Sequence, residues 1–148
     1  MKFLLIIFLA FLFIFCVYGE KINLIYNYNS LEDSYEVFIS DDGKVIIFER
    51  DYFDVEKKEP KNVITKTVSE KDIKELKDLI LNADVFNLKD EYVGSLTLIK
   101  ERSDILTFII DGKTKKILCS NANLPIGLSK IINKIQDIRR SLKYVKEE

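Results

Sequence analysis

Two runs of acidic residues have a spacing that bears on chemistry, Asp41-Asp42-Gly43 and Asp51-x-x-Asp54-x-Glu56. Hard cations such as calcium take several oxygen ligands from one loop, so such runs invite a metal reading. The ligand spacing is not that of an EF-hand. Asp42-Gly43 reads instead as a hairpin turn, and Asp51 to Glu56 as a charged loop. Carboxylate pairs also serve glycoside hydrolysis when two acids flank one bond at roughly 5 to 9.5 Å, a geometry that spacing along a chain does not specify. With 24 acidic residues scattered among 23 basic ones, the acids read as a solvated surface. The chain contains no histidine. Serine or cysteine nucleophiles paired with histidine, and the usual zinc sites of enzymes, are thereby excluded. The glycines are isolated and form no phosphate-cradling loop. No catalytic residue, cofactor site or metal site is expected, and the chain reads as a non-enzyme.

Three further groups carry weaker signals. Cys119, in the run Lys116-Ile117-Leu118-Cys119, has the setting of a small buried core residue rather than a reactive thiol. The last amphipathic stretch carries Lys130, Lys134, Arg139, Arg140, Lys143 and Lys146. Cations near a helix C-terminus complement its dipole and keep an outer face in water, and these read that way. Tyr52 and Phe53 sit among Glu49, Arg50, Asp51 and Asp54 with no alternation partner. Exposed aromatics anchor interfaces, which makes these two the candidate partner-binding residues.

The amino terminus sets the compartment. Met1-Lys2 precedes an unbroken apolar run from Phe3 to Tyr18, then Gly19 and the polar Glu20-Lys21. That is the charged start, apolar middle and small-residue exit of a secretory signal, with Val17 and Gly19 at the positions a signal peptidase inspects. Cleavage is expected between Gly19 and Glu20, giving a secreted or cell-envelope protein. The alternative is an uncleaved amino-terminal membrane anchor. At 1.5 Å per residue the run makes a helix of roughly 24 Å, short against roughly 30 Å of hydrocarbon. Residues 20–148 are then one domain of ordinary size. Lys2 is the leader's only charge, so this domain carries a net charge of about −2. A nucleic-acid binder would need a strong basic excess. Cys16 lies inside the leader, so Cys119 has no internal partner and packing alone must hold the fold.

The elements follow from periodicity. Ile22 to Tyr28 opens as a strand, Tyr35, Val37 and Ile39 alternate with Glu36, Phe38 and Ser40, and Lys44 to Glu49 returns after Asp42-Gly43. Both positions of that turn favour residues that tolerate positive φ. Asn62 to Val68 is a further β-branched strand. Ser69 followed by Asp72 marks a helix start, and Ile73, Leu76, Leu79 and Ile80 continue it to about Leu81. Beyond a short Val85 to Leu88 segment, strands are expected near Leu96 to Lys100 and Ile105 to Ile110. Asp111-Gly112, with the same turn chemistry as Asp42-Gly43, leads into Lys115 to Cys119. A last helix, capped by Asn121 or Asn123 with Pro125 in its first turn, lines up Leu124, Leu128, Ile131, Ile132, Ile135, Ile138 and Leu142. The order hairpin, strand, helix, hairpin, strand, helix implies an α+β fold, an antiparallel sheet built from two β-hairpin units with both helices packed on it.

The pattern Tyr35-x-Val37-x-Ile39-x-x-Asp42-Gly43-x-Val45, then Ser69 opening a helix, then Ala83-Asp84-Val85-Phe86-Asn87-Leu88 and a hairpin before a final helix, resembles a group of small exported bacterial domains. One branch of that group is of unknown function. Another comprises the emfourin-type inhibitors of thermolysin-like metalloproteases. The resemblance implies a binding or inhibitor module with a protein partner in the envelope or medium. The alternative function is that of a structural envelope protein held at the membrane by its leader, its only route to the bilayer.

Overall fold

The computed structural model describes residues 20–30, 33–50, 60–94 and 102–143. The chain runs β1 (Ile22–Asn29), β2 (Ser34–Ile39), β3 (Lys44–Arg50), β4 (Asn62–Thr67), α1 (Glu70–Asn82), a 3-10 turn (Val85–Asn87), β5 (Glu91–Val93), β6 (Ser103–Ile110), β7 (Lys113–Ser120) and α2 (Ile126–Lys143). The described strands form one sheet in the order β4-β3-β2-β1-β6-β7-β5. Every pairing is antiparallel except that of β5 with β7, where Glu91, Tyr92 and Val93 lie beside Leu118, Cys119 and Ser120. The α+β class and the packing of both helices on a sheet agree with the sequence. The order differs in one respect, because the short strand after α1 precedes the second hairpin. The strand expected near Leu96 to Lys100 lies outside the described residues, as do Gly19, Tyr52, Phe53 and the leader. Glu20 is exposed at the start of the described chain.

Alternation along each strand decides which face is covered. Ile22, Leu24, Tyr26, Tyr35, Val37, Ile39, Val45, Ile47, Leu106, Phe108, Ile110, Ile117 and Cys119 all point to one face. There they join Ile73, Leu76 and Ile80 of α1 and Leu128, Ile131, Ile132, Ile135, Ile138 and Leu142 of α2 in a single core cluster. On the opposite face Ile25, Phe38 and Ile46 lie side by side in register and are only half-buried. Among the described residues no helix is long and apolar enough to cross a membrane.

The two hairpin turns are not alike. Asp111 and Gly112 both take positive φ, 48° and 78°, which is the two-residue turn whose twist matches the strands it joins. In the first hairpin Gly43 alone is left-handed, at φ 86°. There Ser40 and Lys44 face each other across a three-residue loop, the Ser40 N–H donating to the Lys44 carbonyl at 2.9 Å. Ser69 caps α1 by accepting from the Asp72 N–H at 3.1 Å. Neither Asn121 nor Asn123 caps α2. The carbonyl of Pro125 accepts the N–H of Ser129 at 3.0 Å, so Pro125 stands at the cap, where its missing N–H costs nothing.

The cations of α2 also depart from expectation. Lys130 and Arg140 are exposed. Lys134 and Arg139 are not, with side chains only 13% and 12% accessible. Lys134 clamps α2 to α1 by donating to Asp72 at 2.8 Å and to Glu75 at 2.5 Å. That contact, with the Ser69 hydroxyl, holds the Asp72 carboxyl below the usual carboxylate range. The period of an apolar stripe shows which positions are apolar, but not that a long cationic side chain at its margin folds inward over a carboxylate.

Candidate binding pocket

β1 and β6 are neighbours, and their register sets Tyr28 beside Asp104 and Tyr26 beside Leu106. Asp104 is the buried charged residue of the described chain, 5% accessible, on the same face as Leu106, Phe108 and Ile110. The Tyr26 hydroxyl donates to the Asp104 carboxylate. Arg102 closes on the other side as a fork, Nε to Oδ2 at 3.0 Å and Nη2 to Oδ1 at 3.2 Å. Gln136 of α2 donates to the Tyr26 oxygen at 3.4 Å. The carboxylate is thus neutralised by a bidentate guanidinium, the arrangement that makes a buried charge tolerable.

Around this pair the aromatics and arginines alternate. Tyr28 and Tyr35 stack with ring centroids 4.8 Å apart, and Tyr26 meets Tyr35 edge-on at 6.0 Å. Arg102 lies 5.2 Å over Tyr28 and Arg139 lies 3.6 Å over Tyr35. Arg139 also reaches Asp33 at 3.2 Å and Glu49 at 3.4 Å. Cation–π contact of this kind is worth about 1 kcal/mol or more when desolvated, and it ties α2 to the end of the sheet.

Above Asp104 opens a pocket of about 440 Å³. Its base is Arg102, Asp104 and Cys119, its apolar wall Leu124 and Ile132, and its rim Asn121, Asn123, Ser129 and Asn133. Asn121 occupies its place through backbone geometry. β7 ends at Ser120, the Ser120 carbonyl accepts the Gly94 N–H at 2.8 Å, and Asn121 turns the chain away in the left-handed region at φ 47°. The side chains of Asn121, Asn123, Ser129 and Asn133 make no hydrogen bond to another described residue, whereas Arg102, Asp104 and Tyr26 are all engaged with one another. A second hollow of about 550 Å³ lies across the molecule between Leu81, Phe86 and the β6–β7 turn, and is lined more by apolar groups.

The Tyr26 phenol and the Cys119 thiol hold their protons. Burial pushes the Tyr26 phenol far above its ordinary range, and the negative charge of Asp104 adds to it. Burial, with Asp104 again adding, raises the Cys119 thiol to about 11. A thiol that stays protonated at neutral pH is a poor nucleophile. Cys119 is 2% accessible and unpaired, as its apolar setting suggested. Cys119→Ala is expected to cost about 1 kcal/mol through a minor cavity, without change in oligomeric state. Denaturation midpoints and non-reducing gels check this, and a covalent dimer lost with the substitution would contradict it. Because the folded thiol ionises at higher pH than the unfolded one, its contribution to stability is intact below about pH 9 and fades as pH rises toward about 11.

The sequence reading does not single out Tyr26, Arg102, Asp104, Ser129 or Asn133, and it takes Asn121 and Asn123 only as helix-cap candidates. A signal for Asp104 was present, since it continues the alternation of Leu106, Phe108 and Ile110 onto the buried face. Beginning the strand at Ile105 hid it. Asp41, weighed for calcium, instead accepts the Ile22 N–H at 2.9 Å and pairs with Lys77 at 2.6 Å. Among the described residues no group of three or more acidic or cysteine side chains gathers to hold a metal ion. Tyr52 and Phe53 fall between β3 and β4, outside the described residues.

Fold and pocket together define a small α+β domain, a mixed sheet covered on one face by two helices with a polar pocket where the second helix begins. The chain belongs to the family of a domain of unknown function, DUF6438, whose model matches residues 31–139. The match takes in Arg102, Asp104 and the pocket rim, while β1 with Tyr26 precedes it. No curated protein matches the chain.

Proposed function

We propose that this is an exported, non-enzymatic binding module and that the pocket above Asp104 holds its partner or ligand. The observation that carries the reading is the division of labour among the pocket's polar groups. Asp104 is buried and held by Tyr26 and Arg102, Cys119 is buried with its thiol protonated, and the groups at the rim, three carboxamides and a hydroxyl, make no hydrogen bond to another described residue. Such a rim is suited to recognition, and the locked base beneath it offers no proton shuttle. Export rests on the amino-terminal sequence, and it predicts an intact mass for a chain beginning at Glu20; full-length chain recovered solely in membrane fractions would establish the anchor instead.

The test is a comparison of captured partners. Ser129→Phe puts a ring into the pocket from a half-buried position whose side chain makes no hydrogen bond to another described residue. With thermal stability retained, this variant should lose whatever the unaltered protein captures from envelope or medium. An identical captured set places the binding surface elsewhere. The protease-inhibitor form of the reading rests on the resemblance to emfourin-type domains and on Tyr52 and Phe53. Titration against a thermolysin-like metalloprotease tests it directly, and an unchanged cleavage rate removes that form while leaving the binding module.

A further inference from the structure

We propose that the pocket above Asp104 is built for a neutral, hydroxyl-rich ligand, that is, a saccharide; this rests on the pocket being the binding site. Charge gives the first reason. Among the described lining residues the single cation and the single anion, Arg102 and Asp104, neutralise each other at 3.0 and 3.2 Å. An anionic ligand would meet a guanidinium already forked onto a carboxylate, and a cationic ligand a carboxylate already held by Arg102 and Tyr26. Neither charge sign is offered an uncompensated partner, so binding a charged ligand there would pay its desolvation without an equal return.

The remaining polar groups fit a sugar. Each carboxamide of Asn121, Asn123 and Asn133 offers a donor and an acceptor on one plane, and the Ser129 hydroxyl offers both on one atom. Adjacent ring hydroxyls donate and accept in the same alternation. Leu124 and Ile132 supply an apolar wall against which the C–H face of a ring can pack. A peptide is disfavoured by the sheet beside the pocket. An extended peptide binds best by adding to a free strand edge, and at Leu118 to Ser120 the edge of β7 is already occupied by β5, itself only three residues long.

The experiment follows the side-chain amide resonances of Asn121, Asn123 and Asn133 in the purified protein, in the form the producing cell exports. The probes are the neutral disaccharides N,N′-diacetylchitobiose, maltose, cellobiose and lactose, with trialanine and citrate as probes of peptide and anion. At least one disaccharide should shift these amides saturably. Asn133→Ala should weaken that titration by about fivefold, the loss of one hydrogen bond, without moving the melting temperature, since the Asn133 side chain bonds no described residue. Silence from every disaccharide at about 10 mM, where even millimolar affinity is visible, overturns the saccharide assignment. Trialanine or citrate shifting the same amides in that case keeps the pocket as the binding site and changes only the ligand class. Shifts by a disaccharide that Asn133→Ala leaves unaltered also overturn the assignment, because the sugar then binds elsewhere.

Discussion

Replacing Asp104 by alanine is expected to lower the free energy of unfolding by about 3 kcal/mol. The carboxylate is buried and receives the Tyr26 hydroxyl on one side and the Arg102 fork on the other. Removing it strands a phenol hydroxyl in a residue with 0% accessibility, whose remaining partner is Gln136 at 3.4 Å. A stranded buried donor costs about 1–3 kcal/mol, and breaking a fully buried ion pair about 3–5 kcal/mol. Arg102 is 45% accessible, so its released guanidinium recovers water and the upper figure is not reached. Tyr26→Phe should cost less, about 1 kcal/mol, because Asp104 keeps its arginine. The two changes together should fall short of their sum by about 1 kcal/mol, the coupling between groups that share one bond. Chemical denaturation of the four proteins measures all of this. A loss of under about 1 kcal/mol for Asp104→Ala would mean that water replaces the carboxylate and that the base of the pocket is not sealed.

The cluster illustrates where sequence patterns stop being informative. Strand alternation at Tyr35, Val37 and Ile39, the Ser69 cap and the stripe from Leu128 to Leu142 are local signals, and each element they mark is present. Asp104 and Tyr26 are 78 residues apart and meet because β1 lies between β2 and β6. That strand order is set by which edges bury the most apolar surface, and no short-range spacing encodes it. Arg139 is hidden for a related reason. On the helix surface it reads as one more solubilising charge, and its contact with the Tyr35 ring exists only once α2 lies across the sheet. In the sequence Asn121 and Asn123 read as helix-cap candidates, since Asn before a helix often caps it. Pro125 takes that position, and the carboxamides are left facing the pocket instead. The difference between the two turns was also beyond the dipeptides, because Asp-Gly suits both a two-residue and a three-residue loop.

Gly94→Ala is expected to damage the same region through the backbone, and by more than its small change in volume suggests. A Cβ at this position would stand 1.9 Å from the carbonyl oxygen of Asn121 and 2.6 Å from its carbonyl carbon. Both are main-chain atoms, so no rotamer relieves the clash. Relief requires β5 to draw away from β7, breaking the Gly94–Ser120 hydrogen bond and the pairing of Glu91, Tyr92 and Val93. β5 is a three-residue edge strand, and its detachment sets a ceiling on the cost. Overpacking of this severity with loss of the partly buried Tyr92 should amount to about 2–4 kcal/mol. Gly112→Ala is the matched comparison. Gly112 has φ 78° but nothing within 4 Å of its would-be Cβ, so only backbone strain of about 1 kcal/mol is expected. Hydrogen exchange separates the two. The Leu118 N–H, which donates to Asp90 at 2.8 Å, should lose protection in Gly94→Ala and keep it in Gly112→Ala. Because Asn121 carries the clashing carbonyl, Gly94→Ala should also shift its side-chain amide. Equal destabilisation by the two substitutions, with Leu118 protected in both, would show that β5 and Asn121 yield without separating and that their close approach does not hold the pocket rim in place.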